Sequence, residues 1–257
     1  MIIYISKIVS GIRINCTLPY PTYDSRKNVL VVGNSHAENI LQILSKTKFS
    51  NLIYFNLTSP QIRLDDYNFQ VRFFYKFLTE KKAIIDGSYN GNFLNHLKKQ
   101  YYKSDLIILS SLYSNEDLAV LNDLIKILKK DQKKIIIFDN ALEQTLRAGF
   151  NRLDYYIYIH NKFPKKNIIE KIENKIFLDL KNKKNINNEI KKIAEENNVF
   201  LIERDKIFCD YDLKRCPSIT EEGYKIYWDY GHITNEGSDF FAKRFNENKL
   251  FIKYLTS

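Results

Sequence analysis

Five short runs of apolar residues recur along the chain, separated by longer stretches of mixed polar and apolar positions. Strands with apolar side chains on both faces are typical of parallel sheets that helices cover on both sides. The runs are rich in β-branched residues, which favour strands. We therefore predict a mainly parallel five-stranded sheet, with strands at 28–33, 51–57, 105–111, 133–139 and 198–203.

Apolar residues between these runs recur at helical spacing. Leu118, Leu121, Ile125 and Leu128 share one helix face, and 186–194 carries a similar stripe. Alternating strands and helices favour right-handed crossovers and a flavodoxin-like, three-layer α/β/α sandwich. Ligands in such folds bind beyond the carboxyl ends of the strands, so active-site residues are expected directly after strands.

Length and composition predict one domain over 1–257. The chain has 257 residues, 44% of them hydrophobic, which is enough for one sizeable core. Residues 1–27 are predicted to form an N-terminal extension, and 140–197 to include an irregular excursion before the last strand. No stretch approaches the roughly 20 uninterrupted apolar residues of a transmembrane helix. The start of the chain also lacks the basic region and cleavage site of a signal peptide.

The formal net charge of +10 raises the question of nucleic-acid binding, because clustered Lys and Arg neutralise phosphates. The basic runs at 162–166 and 181–184 lie among Asn, Ile and Glu and contain no nucleic-acid motif. Such runs are typical of solvated helix faces and loops. We therefore predict no nucleic-acid partner, whereas an acidic glycan substrate is consistent with the charge.

The segment VLVVGNSHAENIL at 29–41 combines an apolar strand, a Gly-Asn-Ser-His turn and a helical pattern. Gly33 permits a tight strand-to-helix turn, which places Ser35 near the helix N-terminus. Unpaired backbone N–H groups and the helix dipole favour negative charge there, as a tetrahedral oxyanion requires. Taken alone, however, Ser35 at this position is more simply explained as a helix N-cap.

Near the other end of the chain, Asp229 and His232 lie three residues apart, followed by Gly237. A serine hydroxyl is a weak nucleophile that needs an imidazole to accept its proton and a carboxylate to orient that imidazole. The D-x-x-H spacing supplies both from one loop. A structural histidine beside an aspartate is the alternative for this segment by itself.

Together the two segments resemble the first and last blocks of the SGNH (GDSL-like) hydrolases. The resemblance is closest to the SGNH domains attached to membrane O-acyltransferases that modify bacterial surface glycans. Those domains carry a G-D-S-H-A turn and, later, a Cys pair followed by an aromatic residue and D-x-x-H-L-S/T-x-x-G. The matching positions here are GNSHA at 33–37, Cys209, Cys216, Tyr227, Asp229, His232, Thr234 and Gly237.

This resemblance implies the SGNH hydrolase fold and a serine-dependent esterase or O-acyltransferase. Ser35 is the implied nucleophile that carries the acyl group, His232 the base, and Asp229 the residue that orients it. The implied substrate is an O-acyl, in particular O-acetyl, group of a bacterial surface glycan. The implied partners are an acylated glycan or acyl donor and a membrane acyltransferase. No metal or cofactor is implied.

The family layout also implies a disulfide between Cys209 and Cys216. The spacing of the three cysteines alone leaves free thiols in a reducing compartment open. With the family layout, the pair favours a periplasmic or other extracytoplasmic location.

The sequence departs from the family pattern around the expected oxyanion hole. Asn34 replaces the usual Asp before the serine, which should preserve local hydrogen bonding but not the charge. The glycine and Gly-x-Asn of the family's second and third blocks have no clear match. A catalytically inactive glycan-binding or partner module is therefore the alternative function. The candidate oxyanion and substrate residues are Gly33, Asn34, the backbone of Ser35, Ser59, Ser111 and Asn115.

Four further residues adjoin the candidate catalytic positions. His36 follows the nucleophile, and we expect it to have a structural role in the turn. Tyr227, Trp228 and Tyr230 surround Asp229 in the sequence. Aromatic side chains at such positions either stack on a sugar ring or pack the loop against the core, and both alternatives are open.

Overall fold

A computed structural model describes most of the chain from residue 27 onward. The described residues are 27–47, 50–56, 70–79, 91–141, 143–144, 146, 149–180 and 185–256. Of the predicted extension at 1–27, only Lys27 lies among them, as the first residue of a strand. The part of the chain that the structure describes contains no helix long and apolar enough to cross a membrane.

All five predicted strands are present and all are parallel, which confirms the predicted fold class. The spatial order is β2-β1-β3-β4-β5, so β1, β3 and β4 are each paired on both sides. Val31 of β1, for example, is opposite Tyr54 of β2 and Ile108 of β3. The strands are β1 (Lys27–Gly33), β2 (Ser50–Asn56), β3 (Leu106–Ser110), β4 (Lys134–Phe138) and β5 (Phe200–Ile202).

Helices connect these strands and continue beyond the last one. The two predicted apolar stripes lie on α4 and α7. In chain order the helices are α1 (Ser35–Leu44), α2 (Gln70–Thr79), α3 (Gly91–Lys103), α4 (Asn115–Lys130), α5 (Arg152–His160), α6 (Lys166–Leu180), α7 (Asn185–Glu196), α8 (Arg204–Phe208), α9 (Asn235–Glu247) and α10 (Lys249–Thr256).

The sheet buries a separate apolar core on each face, because successive strand side chains point in opposite directions. Leu30 and Val32 contribute to the core beneath α2, α3, α4 and α7. Val29 and Val31 contribute to the core beneath α1, α8, α9 and α10. This arrangement explains why the strand sequences are apolar at every position and not at alternate ones.

The segment 140–197, predicted to include an irregular excursion, is more helical than expected. It contains α5, α6 and α7. Only α6 and α7 carry clear apolar stripes; on α5 one residue, Leu153, is buried. The weak amphipathic pattern of α5 explains why its helix was not recognised in the sequence.

The stretch between β5 and α9 has little regular secondary structure after α8. A disulfide links Cys209 to Cys216, seven positions apart, and both cysteines pack with Ile176 and Phe177 of α6. An isolated bridge then pairs Tyr227 with Ile233. The loop between these two residues carries Asp229 and His232 to the sheet edge where the strands end.

Candidate active site

Ser35 is the first residue of α1, directly after the turn that ends β1. The helix N-cap is Asn34, whose side-chain oxygen accepts hydrogen bonds from the backbone N–H groups of His36 (3.1 Å) and Leu112 (3.2 Å). Asn34 therefore retains the acceptor expected at this position and ties the turn to the segment after β3. Since Asn34 caps the helix, the alternative that Ser35 is itself the N-cap is wrong.

Gly33 is required by a close approach between two strands. A Cβ atom at this position would lie 1.7 Å from the carbonyl oxygen of Ser110, at the end of β3. Real Cβ atoms cannot approach a backbone oxygen so closely. Glycine thus allows the turn before Ser35 to pack directly against β3.

Asp229 and His232 form a hydrogen-bonded pair within the loop that precedes α9. Nδ1 of His232 lies 2.6 Å from Oδ2 of Asp229. Oδ1 of Asp229 accepts from the backbone N–H groups of Gly231 (2.8 Å) and His232 (2.7 Å). Burial alone would raise the pKa of the Asp229 carboxyl, but these hydrogen bonds lower it below its ordinary value. An ionised Asp229 favours the tautomer protonated at Nδ1, which leaves Nε2 to accept a proton.

Asn39 joins the helix that begins with Ser35 to the loop that carries His232. Its side-chain nitrogen donates to the carbonyl of Gly231 (2.9 Å), and its side-chain oxygen accepts from the N–H of Ile233 (3.2 Å). The imidazole of His36 also stacks near that of His232, with ring centroids 5.9 Å apart. These contacts place His232 beside the first turn of α1, where Ser35 lies.

The remaining motif residues, Thr234 and Gly237, fix the start of α9. Thr234 is the N-cap, and its hydroxyl accepts from the N–H of Gly237 (2.9 Å) and donates to the carbonyl of Lys225 (2.6 Å). A Cβ on Gly237 would lie 2.4 Å from the carbonyl oxygen of Ile226. The T-x-x-G part of the motif therefore fixes the end of the loop that carries Asp229 and His232 against the backbone of Lys225 and Ile226.

Comparison with known proteins identifies the family of this chain. The family model described as "SGNH domain (fused to AT3 domains)" matches residues 10–247, which is most of the chain. The chain belongs to this SGNH family. No curated protein gives a sequence match. The domain is thus of the SGNH-type serine hydrolase and acyltransferase class.

Solved structures match this SGNH domain at low sequence identity. The periplasmic domain of a lipopolysaccharide acetyltransferase from Salmonella ser. Paratyphi A matches with a TM-score of 0.51 and 15% identity, over 94% of this chain and 88% of that chain. A GDSL-like lipase from Bacteroides thetaiotaomicron gives a TM-score of 0.43 and 15% identity, over 93% of this chain and 95% of that chain.

Two charged residues near Ser35, Glu143 and Arg204, were not identified from the sequence. His36 is buried and its Nε2 lies 3.4 Å from Oε1 of Glu143. Arg204, the first residue of α8, is 2% exposed and donates to the hydroxyl of Ser110 (2.7 Å), which in turn donates to the carbonyl of His36 (3.3 Å). Burial lowers the pKa of Arg204 to about 10, so this SGNH domain keeps a buried positive charge below the first turn of α1.

Asp139 lies directly after β4, at the same sheet edge. Its side chain accepts from the backbone N–H of Arg204 (2.7 Å). Burial raises the pKa of the Asp139 carboxyl to about 7, although the hydrogen bond and the charge of Arg204 act to lower it. Asp139, Asn39 and Gly231 line part of a cavity of about 660 Å³ next to the loop that carries His232. Asp139 is the last residue of the strand predicted at 133–139, and this position at the carboxyl end of a strand was a usable signal for it.

The candidate oxyanion residues differ in how they are placed. The N–H groups of His36 and Ala37 donate hydrogen bonds to Asn34. Among residues 35–37, this leaves the N–H of Ser35 to donate to an oxyanion. Ser111 is buried and directly precedes Leu112, whose N–H donates to the side chain of Asn34. Asn115 is exposed at the start of α4, with no described hydrogen bond to α1. Ser59 lies outside the described residues.

No metal site is formed by the described residues. Within these ranges, no group of three or more His, Cys, Asp or Glu side chains is arranged to hold a metal ion. The described residues at this edge of the sheet supply a hydroxyl, an imidazole, a carboxylate and oriented N–H donors.

Proposed function

We propose that this SGNH domain is a serine-dependent esterase or O-acyltransferase that acts on an O-acyl group, most simply O-acetyl, of a bacterial surface glycan. Ser35 is the nucleophile, His232 the general base and acid, and Asp229 the residue that orients the imidazole. One observation carries the proposal: the hydrogen-bonded Asp229–His232 pair is held by Asn39 against the helix that begins with Ser35.

The reaction proceeds in two steps of proton and acyl transfer. Oγ of Ser35 attacks the ester carbonyl while Nε2 of His232 accepts the hydroxyl proton. The tetrahedral intermediate collapses, the C–O bond to the alcohol breaks, and His232 returns the proton to the leaving alcohol oxygen. Water or a sugar hydroxyl then gives its proton to His232 and attacks the acyl-enzyme. Collapse returns the proton to Ser35 and releases a free acid or a new ester.

Negative charge on the carbonyl oxygen is stabilised from two sources. The N–H of Ser35 lies at the N-terminus of α1, where the helix dipole favours an anion. The buried positive charge of Arg204, one hydroxyl away from the carbonyl of His36, acts in the same direction. A low-dielectric surrounding strengthens both contributions.

Family membership supports the substrate class and the partner. The matching family model describes SGNH domains fused to AT3 domains, which supports a membrane acyltransferase as the source of the acyl group. The Salmonella domain with the same fold belongs to a lipopolysaccharide acetyltransferase. The disulfide between Cys209 and Cys216 supports an extracytoplasmic site of action.

The decisive experiment incubates the protein with a chromogenic acetyl ester, with and without a free glycan acceptor. Release of acetate alone indicates an esterase, and acetyl transfer to the glycan indicates an acyltransferase. Ser35→Ala and His232→Ala should each lower the rate by about 10³-fold or more, because the three residues act as a unit. Asp229→Asn should cost somewhat less.

Ser45→Ala provides a matched control for the nucleophile. Ser45 follows the same helix, at the end opposite Ser35, and its hydroxyl donates to the carbonyl of Gln42. This variant should keep the wild-type rate. A Ser35→Ala variant that is as active as the wild-type protein would refute the mechanism. A folded wild-type protein that binds glycan without cleaving or transferring acyl groups would identify it as the inactive binding module.

A further inference from the structure

Trp228 is the only tryptophan in the sequence, and it directly precedes Asp229. Its indole lies nearly parallel to the imidazole of His232, with ring centroids 5.1 Å apart and an interplanar angle of 21°. The residue is nonetheless 49% exposed. A large aromatic side chain therefore contacts the proposed base and presents much of its surface to solvent.

The preceding residue, Tyr227, shows how an aromatic side chain of this loop packs against the core. Tyr227 is 9% exposed and its ring lies 6.4 Å from that of Phe241, in the core beneath α9. Trp228 is instead held through its backbone, whose N–H donates to the carbonyl of His232 (3.0 Å). Core packing thus accounts for Tyr227 but not for the exposed indole of Trp228.

The direction of proton transfer decides which part of a substrate lies near Trp228. His232 gives its proton to the leaving alcohol oxygen, or takes one from an accepting hydroxyl. The alcohol part of the ester must therefore lie within hydrogen-bonding reach of Nε2 of His232. The acyl part is directed toward Ser35 and its N–H donor. Because Trp228 flanks His232, its indole lies on the side of the alcohol.

A sugar ring is the alcohol that an exposed indole suits. A pyranose presents C–H groups on its faces and hydroxyls around its rim, so one face can cover an apolar ring while the hydroxyls stay in water. Aromatic rings supply a large apolar surface with a negative π face, which attracts such C–H groups. An acetyl group is too small to cover an indole and is bound elsewhere in the mechanism.

We propose that Trp228 is the stacking platform for the sugar ring of the substrate. This is the ring whose ester loses its acyl group to Ser35, or whose hydroxyl accepts the acyl group from Ser35. This inference rests on the proposed function and assigns a residue to its alcohol subsite. The side chain binds the sugar and sets the preference for cyclic alcohols over simple ones. It does not take part in proton transfer.

A pair of substrates separates this binding role from a packing role. An O-acetylated methyl pyranoside and ethyl acetate share the acyl group but differ in the alcohol. Trp228→Ala should lower kcat/KM for the pyranoside by about 10-fold, mainly through KM, and leave ethyl acetate within about twofold. Trp228→Phe should recover part of the pyranoside activity. Tyr224→Ala, which removes an exposed aromatic residue of the same segment, should change neither substrate.

The single tryptophan also allows a direct binding measurement. Titrating the Ser35→Ala protein with the acetylated pyranoside should change the intrinsic fluorescence of Trp228 and saturate, while ethyl acetate should leave it unchanged. Equal losses for both esters in Trp228→Ala would show a packing role and overturn the proposal. So would a flat fluorescence titration through the wild-type KM.

These outcomes are distinguishable from failure of the proposed function. If Ser35→Ala cleaves the pyranoside as fast as the wild-type protein, the acyl-enzyme mechanism fails, whatever Trp228 does. If Ser35→Ala is inactive but the two esters respond equally to Trp228→Ala, only the stacking role fails. Should Trp228→Ala not fold, Trp228→Phe and the fluorescence titration decide the question.

Discussion

Asn39 brackets His232: its buried side-chain amide hydrogen-bonds to the backbone carbonyl of the residue before the histidine and to the N–H of the residue after it. Asn39 lies four residues after Ser35 in α1, so the two share a helix face. One side chain thus relates the proposed base to the helix of the proposed nucleophile. An amide suits this position because it has a donor and an acceptor in one planar group.

We predict that Asn39 acts as a positioning residue for His232. Asn39→Asp removes the donor to Gly231, and Asn39→Leu removes both hydrogen bonds. Both should lower kcat about 10- to 100-fold with little change in KM, because an error of about 1 Å in the base is costly. Steady-state kinetics on a chromogenic acetyl ester measure the effect.

Lys46→Met is the matched control for Asn39. Lys46 also joins the α1 region to α9, through Asn235 (3.0 Å) and Asp239 (3.1 Å), and these contacts are to the helix and not to the residues that flank His232. It should keep the wild-type kcat. Folded Asn39 variants with wild-type kcat would contradict the positioning role.

Gly33→Ala should destabilise the fold, because the added Cβ would collide with the carbonyl oxygen of Ser110. Overpacking of this kind costs roughly 1–3 kcal/mol, and we expect the upper part of that range because the collision is with backbone. Chemical denaturation of both proteins measures the change. Gly223→Asn is the comparison, since a Cβ on Gly223 would meet no atom within 4 Å and asparagine tolerates positive φ values. An equal loss of stability there would refute the steric explanation.

Asp139 should make folding stability depend on pH. Its pKa in the folded protein is about 7, above the ordinary value of 3.8, so ionisation is disfavoured by folding. The contribution of Asp139 to the free energy of unfolding is therefore fully present below about pH 4. It falls by up to about 4 kcal/mol as the pH rises to about 7. Relative to Asp139→Asn, the wild-type free energy of unfolding should fall over this interval.

Urea denaturation at a series of pH values tests this dependence. Asp123→Asn, which removes an exposed carboxylate of α4 that pairs with Lys126, should keep the wild-type pH profile. Parallel profiles for the wild-type protein and Asp139→Asn would show that burial does not perturb this carboxyl group.

The disulfide between Cys209 and Cys216 should stabilise the folded state, because it lowers the conformational entropy of the unfolded chain. Replacing both cysteines with alanine should cost about 2–3 kcal/mol for a loop of this length. A reducing agent should lower the Tm of the wild-type protein but not that of the double variant. Equal responses of the two proteins to reduction would count against the bond.

The local pattern of the sequence was sufficient for much of the fold. Continuous apolar runs predicted all five strands, because a strand buried on both faces has no polar alternation. The stripe from Leu118 to Leu128 predicted α4. By contrast, α5 buries only Leu153, and a helix with one buried residue leaves no periodic signal. For the site, the resemblance selected Ser35, Asp229 and His232 from the two ends of the chain.

Side chains that act through distant partners were not predictable in this way. Asn39 contacts Gly231 across 192 positions, and Arg204 contacts Ser110 across 94. Neither has a spacing or motif that marks it, because its role exists only when the chain has folded. The sequence by itself determined the strands, the turn before Ser35 and the D-x-x-H loop, since these depend on neighbours along the chain. Only the tertiary structure decided which side chains hold that loop against α1 and that the indole of Trp228 flanks His232, because parallel strands bring residues from remote positions to one sheet edge.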